Sequence, residues 1–256
     1  MNYLDHLSFL KSLKPEEEAK LKNDLIQLTP EKVWPDGMPA SLDPKLVLVG
    51  VSPGNAPNYE TEELRKESSD YCYSEPRAIK TENSHFYYPD ARDYWIKLRY
   101  LSHSFFKRFH PEITEIQALS LTSHVNLGTG SAGSATIKDV EKDYVKWVSD
   151  LLNETHSPDL VVLFGLNGIL KDDDISKWWN ESGLRVDWKK PTNTFGFNGY
   201  IQRSYYFREW SVRNAKSHPI RLVIWPNHPS RPPFSDLSIW KQAVSEYLDN
   251  YVNESE

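Results

Sequence analysis

Short apolar runs alternate with longer amphipathic stretches along this chain, and the two periods predict its elements. The run KLVLVG at 45–50 is compact, apolar and ends on glycine, as a parallel strand buried on both faces should. DLVVLFG at 159–165 repeats that form, and IRLVIW at 220–225 supplies a further strand. The segment 116–123 (IQALSLTS) is expected as the second strand in chain order. Helical spacing appears between them. Leu4, Leu7, Phe9 and Leu10 mark one face; a second follows the acidic start at Pro15, Glu16, Glu17 and Glu18 through Leu21, Leu25 and Leu28. Residues 90–109 place Trp95, Leu98, Leu101 and Phe105 together, and 139–155 do the same with Val140, Tyr144, Trp147, Val148, Leu151 and Leu152. A helix is expected through Trp178 and Trp179, and a last one over 235–251 through Leu237, Trp240, Val244 and Leu248.

Strands and helices therefore alternate, which predicts an α/β fold with a central four-stranded parallel sheet flanked by helices in three layers. One domain is expected over 1–256, with a helical extension at 1–40 and an insertion at 183–219, where the alternation is interrupted, as by a hairpin. Ligands of such sheets bind beyond the carboxyl ends of the strands. Those ends are expected to carry 50–55, 122–133, 165–168 and 226–234.

Charge adds a second layer. The net charge of −6 argues mildly against a nucleic-acid partner, but its distribution is uneven. From 183 to 231 there are nine basic residues against two acidic ones, a balance of +7 that leaves −13 for the rest. Trp188, Phe195, Phe197, Tyr200, Tyr205, Tyr206, Phe207, Trp210 and Trp225 are interleaved with them. That mixture suits a phosphate backbone with exposed bases, and equally a solvated hairpin with ordinary packing. The single cysteine, Cys72, excludes an intrachain disulfide framework, a Cys-rich zinc site and an all-Cys iron–sulfur cluster, and has no activating neighbour in the sequence. No signal-peptide pattern opens the chain and no apolar run approaches ~20 residues, so a cytoplasmic protein with no membrane partner is expected.

Two loops carry the candidate chemistry. GVSPG at 50–54 has neither the P-loop nor the dinucleotide spacing. GTGSAG at 128–133 matches the dinucleotide pattern but does not lead directly into a helix, and is read as a loop. NHPSRPPF at 227–234 places His228 just after a buried strand, between Pro226 and Pro229, which stiffen the loop. An imidazole held there can donate to an oxygen that becomes negative as a bond breaks. Ser230 and its backbone N–H can bind a phosphate, with Arg231 beside it, and Pro232, Pro233 and Phe234 form an apolar tip able to wedge into a base stack.

Together, a Gly-x-x-Pro-Gly loop after the first strand, a glycine-ended third strand and a His-Pro-Ser loop after the fourth resemble the uracil-DNA glycosylase superfamily, over about 45–234. The resemblance implies a three-layer fold, no metal or cofactor, and a nucleotide flipped out of duplex DNA into a pocket at the strand ends. It implies hydrolysis of the N-glycosidic bond, with His228, Ser52 and Asn55 as the catalytic candidates. Gly50, Val51, Pro53, Gly54, Thr122, Ser123, Asn126 and Asn167 are the candidates for holding the base, and Ser230, Arg231, Pro232 and Phe234 for DNA backbone and wedge. Val51 and Ser52 stand where the family carries its water-activating carboxylate, for which Asn55, Glu60 or Asp70 would have to substitute. At the base-reading position stand Thr122 or Ser123, with His124 and Asn126 close by, which suggests a base other than uracil. The added segments at 52–91 and 183–219 resemble phage-defence glycosylases that excise glucosylated hydroxymethylcytosine. A monomer is expected. A catalytically silent nucleic-acid binder of the same fold, and an enzyme acting on nucleosides or sugars, are the alternatives.

Overall fold

A computed structural model of the chain describes residues 2–20, 43–51, 92–127, 140, 142–166, 171–181, 183–189, 196–198 and 204–253. The central sheet has six strands: β1 (Leu46–Gly50), β2 (Thr122–Asn126), β3 (Leu160–Leu163), β4 (Arg185–Lys189), β7 (Arg208–Arg213) and β8 (Pro219–Ile224), in the order β2-β1-β3-β8-β7-β4. β5 (Gly196–Asn198) and β6 (Ser204–Tyr206) form a separate antiparallel pair. β2, β1, β3 and β8 are mutually parallel. β7 and β4 then extend the sheet antiparallel to β8. The expected four-stranded sheet is thus corrected to a mixed sheet of six. The interrupted stretch joins the sheet through a short return, Asn214 to His218, that closes on the Asn214 side chain.

Helices cover both faces because the strands alternate. Leu46 and Leu48 of β1 point to one side, where they meet α1 (Tyr3–Ser12), α2 (Arg92–Lys107), α3 (Glu115–Ser120) and α6 (Leu237–Asn253). Val47, Val49 and Val51 point to the other, toward α4 (Lys142–Asp150) and α5 (Asp172–Glu181). Trp240, Ala243, Val244, Tyr247, Leu248 and Tyr251 make one continuous buried stripe on α6. Asp236 caps that helix by accepting from the Ser238 hydroxyl and from the Ile239 and Ser238 N–H groups, which together hold its carboxyl below the usual range. α1 joins the core through Tyr3 and Leu7, and the Tyr3 hydroxyl donates to Asp159 at 3.0 Å.

The second strand lies later than its apolar residues suggest. Thr114 accepts from the Gln117 N–H, and the Gln117 side chain accepts in return from the Thr114 N–H. This capping box turns 115–120 into helix α3. The strand that follows is the polar segment TSHVN at 122–126, buried throughout. It tolerates burial because its polar groups have partners: Thr122 Oγ1 donates to Ala118 O, and His124 meets the Tyr94 hydroxyl. Among the described residues, no helix is long and apolar enough to cross a membrane.

Candidate active site

The carboxyl ends of the four parallel strands finish level with one another. Gly50 is paired with Asn126, Val49 with Leu163 and Leu163 with Ile224. Three interstrand spacings, about 14 Å in all, separate the outer strands β2 and β8 at this edge. Between them, β1 ends on Gly50 and Gly165 lies two residues beyond the end of β3. A side chain on Gly50 would collide with Asn126 Oδ1 and approach His124 Nε2 to 3.6 Å, so the Asn126 carboxamide lies directly over Gly50. Gly165 sits at φ +76°, a conformation that favours glycine. A Cβ there would lie 3.5 Å from Val51 and 3.8 Å from the His228 ring. Gly50, Val51, Asn126, Gly165 and His228 therefore meet at one edge, although they are spread over 179 positions of sequence.

His228 is half-buried and its loop is tied at several points. The Asn227 side chain accepts from the His228 N–H and donates to Pro232 O at 2.7 Å, closing the turn. From α2, the buried Lys97 donates to Pro229 O at 3.0 Å and to Ser235 O at 2.8 Å, clamping both ends of the loop. The Ser230 N–H donates to His228 Nδ1 at 3.2 Å. A backbone N–H can only donate, so Nδ1 is an acceptor and the neutral ring carries its proton on Nε2. Burial, followed by His124, Arg231 and Lys97, pushes the His228 pKa down to about 4, so the ring stays neutral at physiological pH. The site thus contains a fixed, uncharged N–H donor at a strand edge.

Tyr94 of α2 completes the wall. Its ring lies parallel to His228, with centroids 5.3 Å apart and planes 5° apart, and its hydroxyl is 3.0 Å from His124 Nε2. Neither Tyr94 nor Lys97 was marked by sequence pattern as a site residue. Tyr94 lies four residues before Leu98 on the apolar spacing of its helix and so reads as core, and a lysine in a helix ordinarily reads as solvated surface.

Several expected site residues lie elsewhere. Thr122 and Ser123 begin β2, opposite Leu46 and Val47, roughly 10–13 Å along the strand from the edge, so neither is in place to read a base. Asn126, at the end of β2 opposite Gly50, lies at that edge instead. Phe234 is fully buried against Trp225 and Trp240, so it is a core residue and not a wedge. Pro232 and Arg231 are exposed on the same loop, as is Ser230, whose backbone N–H is taken up by His228. Ser52, Pro53, Gly54, Asn55, Glu60, Asp70, Cys72, 128–133 and Asn167 lie outside the described residues.

Part of the basic–aromatic stretch is interior among the described residues. Phe207, Trp210 and Trp225 are buried. Arg208 is 7% exposed and donates to Leu166 O, Arg221 pairs with the buried Glu209 at 3.1 Å, and Arg185 and Arg213 share Asp187. Lys216 and Arg231 are exposed. Among the described residues no group of three or more His, Cys, Asp or Glu is placed to hold a metal ion. No family model, curated protein or solved structure matches the chain.

Proposed function

We propose that the protein is a DNA glycosylase that hydrolyses the N-glycosidic bond of a flipped nucleotide at this edge. The observation that carries the reading is the state of His228: a neutral ring, tethered through Nδ1, with its Nε2–H left as donor at the ends of parallel strands. In the reaction, water adds to C1′ of the sugar, the C1′–N bond breaks, and its electron pair goes to the departing base. A neutral donor preplaced where that charge develops stabilises it without needing to reorganise. Asn126, with an amide donor and an acceptor, can pair with the edge of a pyrimidine. The leading substrate is glucosylated hydroxymethylcytosine in phage DNA, which would place the protein in antiviral defence; uracil is retained as a substrate on equal structural terms.

A second reading, a nucleic-acid binder without catalysis, is favoured by one observation: Val51 and Ser52 stand where the resemblance expects a carboxylate. The test is base release. The protein is incubated with uracil-containing DNA, plain DNA and glucosylated hydroxymethylcytosine DNA, and freed bases are identified by mass spectrometry. Release from one modified DNA, reduced on the order of 10²-fold or more by His228→Ala, is the expected result. DNA binding with no release from any substrate would favour the silent binder, and full activity in His228→Ala would remove that residue from the mechanism.

A further inference from the structure

We infer that Tyr94 is a positioning residue for His228: carried on α2, it sets the plane of the imidazole by stacking and ties that plane to His124 of β2 through its hydroxyl. The physical need is plain. The terminal torsion of a histidine side chain is broad, so its ring plane must be set from outside. The Ser230 N–H fixes one point of the ring, at Nδ1. A single hydrogen bond leaves the ring free to tilt about that point. The parallel Tyr94 face, 5° from the imidazole plane, removes the tilt and leaves Nε2 aimed in one direction.

Tyr94 is itself held. Its ring packs against the core beneath α2, and its hydroxyl meets Nε2 of His124, a residue only 2% exposed. The His124 ring stands at 72° to Tyr94, edge toward face. A chain of contacts therefore runs from β2 through Tyr94 to the loop after β8, past the ends of β1 and β3. The groups facing His228 are Tyr94 and Lys97 from α2, His124 from β2 and Arg231 from its own loop. Lys97 and Arg231 disfavour an imidazolium, whereas the Tyr94 face alone would attract one. What Tyr94 contributes is exclusion of water and a fixed plane.

The consequence for base release rests on the glycosylase reading, but the positioning itself can be measured without substrate. Long-range ¹⁵N–¹H spectra of the histidine rings report tautomer and titration in the whole chain. Wild type is expected to show His228 neutral with its proton on Nε2. Tyr94→Phe keeps the stack, so His228 stays as it is and the His124 ring signals shift. Tyr94→Leu removes the plane, so the His228 tautomers average and its titration rises by about one pH unit or more toward the ordinary value. Where Tyr94→Leu does not fold, Tyr94→Met, closer in length, carries the same readout. A folded Leu or Met variant with unchanged His228 tautomer and titration would overturn the inference, as would a Phe variant with unchanged His124 signals. If wild type releases no base from any DNA, the glycosylase reading fails while the spectra still decide the role of Tyr94.

Discussion

His156 is expected to make the protein acid-labile over a defined window. It follows the π-helical turn Leu151–Thr155 at the end of α4, and its N–H donates back to Leu151 O. The ring is 2% exposed, and Nδ1 has no hydrogen-bond partner among the described residues. Burial drives its pKa down to about 4 from an ordinary 6.5; Asp43 pulls it up, while Lys216 and Lys45 push it further down. Between those two values the unfolded chain takes up a proton that the folded chain refuses. Stability is therefore lost as pH falls from 6.5 toward 4, and regained on return. Applied to this single group, linkage gives a loss of about 2.5 kcal/mol by pH ~4.5. His228 acts in the same direction with a smaller share, since it is half-exposed. Asp43 acts in a different window: its carboxyl is held below 3.8, chiefly by Lys45 against its own burial, so its stabilisation survives until the pH falls through that lower value.

The assay is urea unfolding followed by tryptophan fluorescence, at about pH 7 and about pH 4.5, on wild type and His156→Gln. Comparing the two proteins cancels every other titrating group. Wild type is expected to lose about 2.5 kcal/mol more than the variant between the two conditions, because glutamine has nothing to protonate. Equal losses in the two proteins would refute the account, and would mean that water or a rearrangement already solvates the ring in the folded state.

Other consequences follow from the same contacts. Phe234→Ala should cost about 3–5 kcal/mol of stability, while the folded fraction keeps its DNA affinity; a stable variant with weakened DNA binding would restore the wedge. Gly50→Ala should displace the Asn126 carboxamide and cut discrimination between bases by roughly tenfold or more, at a stability cost of about 1–2 kcal/mol, so unchanged discrimination would show that Asn126 does not read the base. Lys97→Met should cost roughly 2–4 kcal/mol and speed hydrogen exchange at Arg231 and Ser235; protection equal to wild type would mean that the clamp on the loop is dispensable. Arg231→Ala, at an exposed position beside the site, should lower the slope of log affinity against log salt by about one, and an unchanged slope would place the phosphates elsewhere.

The parallel strands β1, β3 and β8 were legible because buried strands read as unbroken apolar runs, and the long helices because their stripes repeat. β2 was not, since its five residues include Thr122, Ser123, His124 and Asn126, whose burial depends on partners supplied by α2 and α3. The apolar residues just before it, Ile116, Ala118 and Leu119, belong to a helix set by one capping box. That shift of register places Thr122 and Ser123, two of the expected base-holding residues, away from the strand edge. His228 was legible from its neighbours in sequence. Its charge state was not, because it arises first from burial, then from His124, Arg231 and Lys97, with a loop amide that only folding brings to Nδ1.

The same reasoning limits what composition can say about a nucleic-acid surface. A stretch of nine basic and two acidic residues is a strong pattern in a one-dimensional sequence, yet here its two acids lie where they neutralise most effectively. Asp187 serves both Arg185 and Arg213 across the β4–β7 pair, and Glu209, almost fully buried, serves Arg221 and accepts from the Tyr247 hydroxyl. Among the described residues, Phe207, Trp210 and Trp225 pack inward, Trp210 from β7, which lies between β4 and β8. Under the glycosylase reading, the carboxyl edge, where a hydrogen-bond donor, an amide and two glycines converge, is where a flipped nucleotide would be held. A protein built this way would draw more of its affinity from the captured nucleotide than from the phosphate track, and its binding to unmodified DNA should be correspondingly weak.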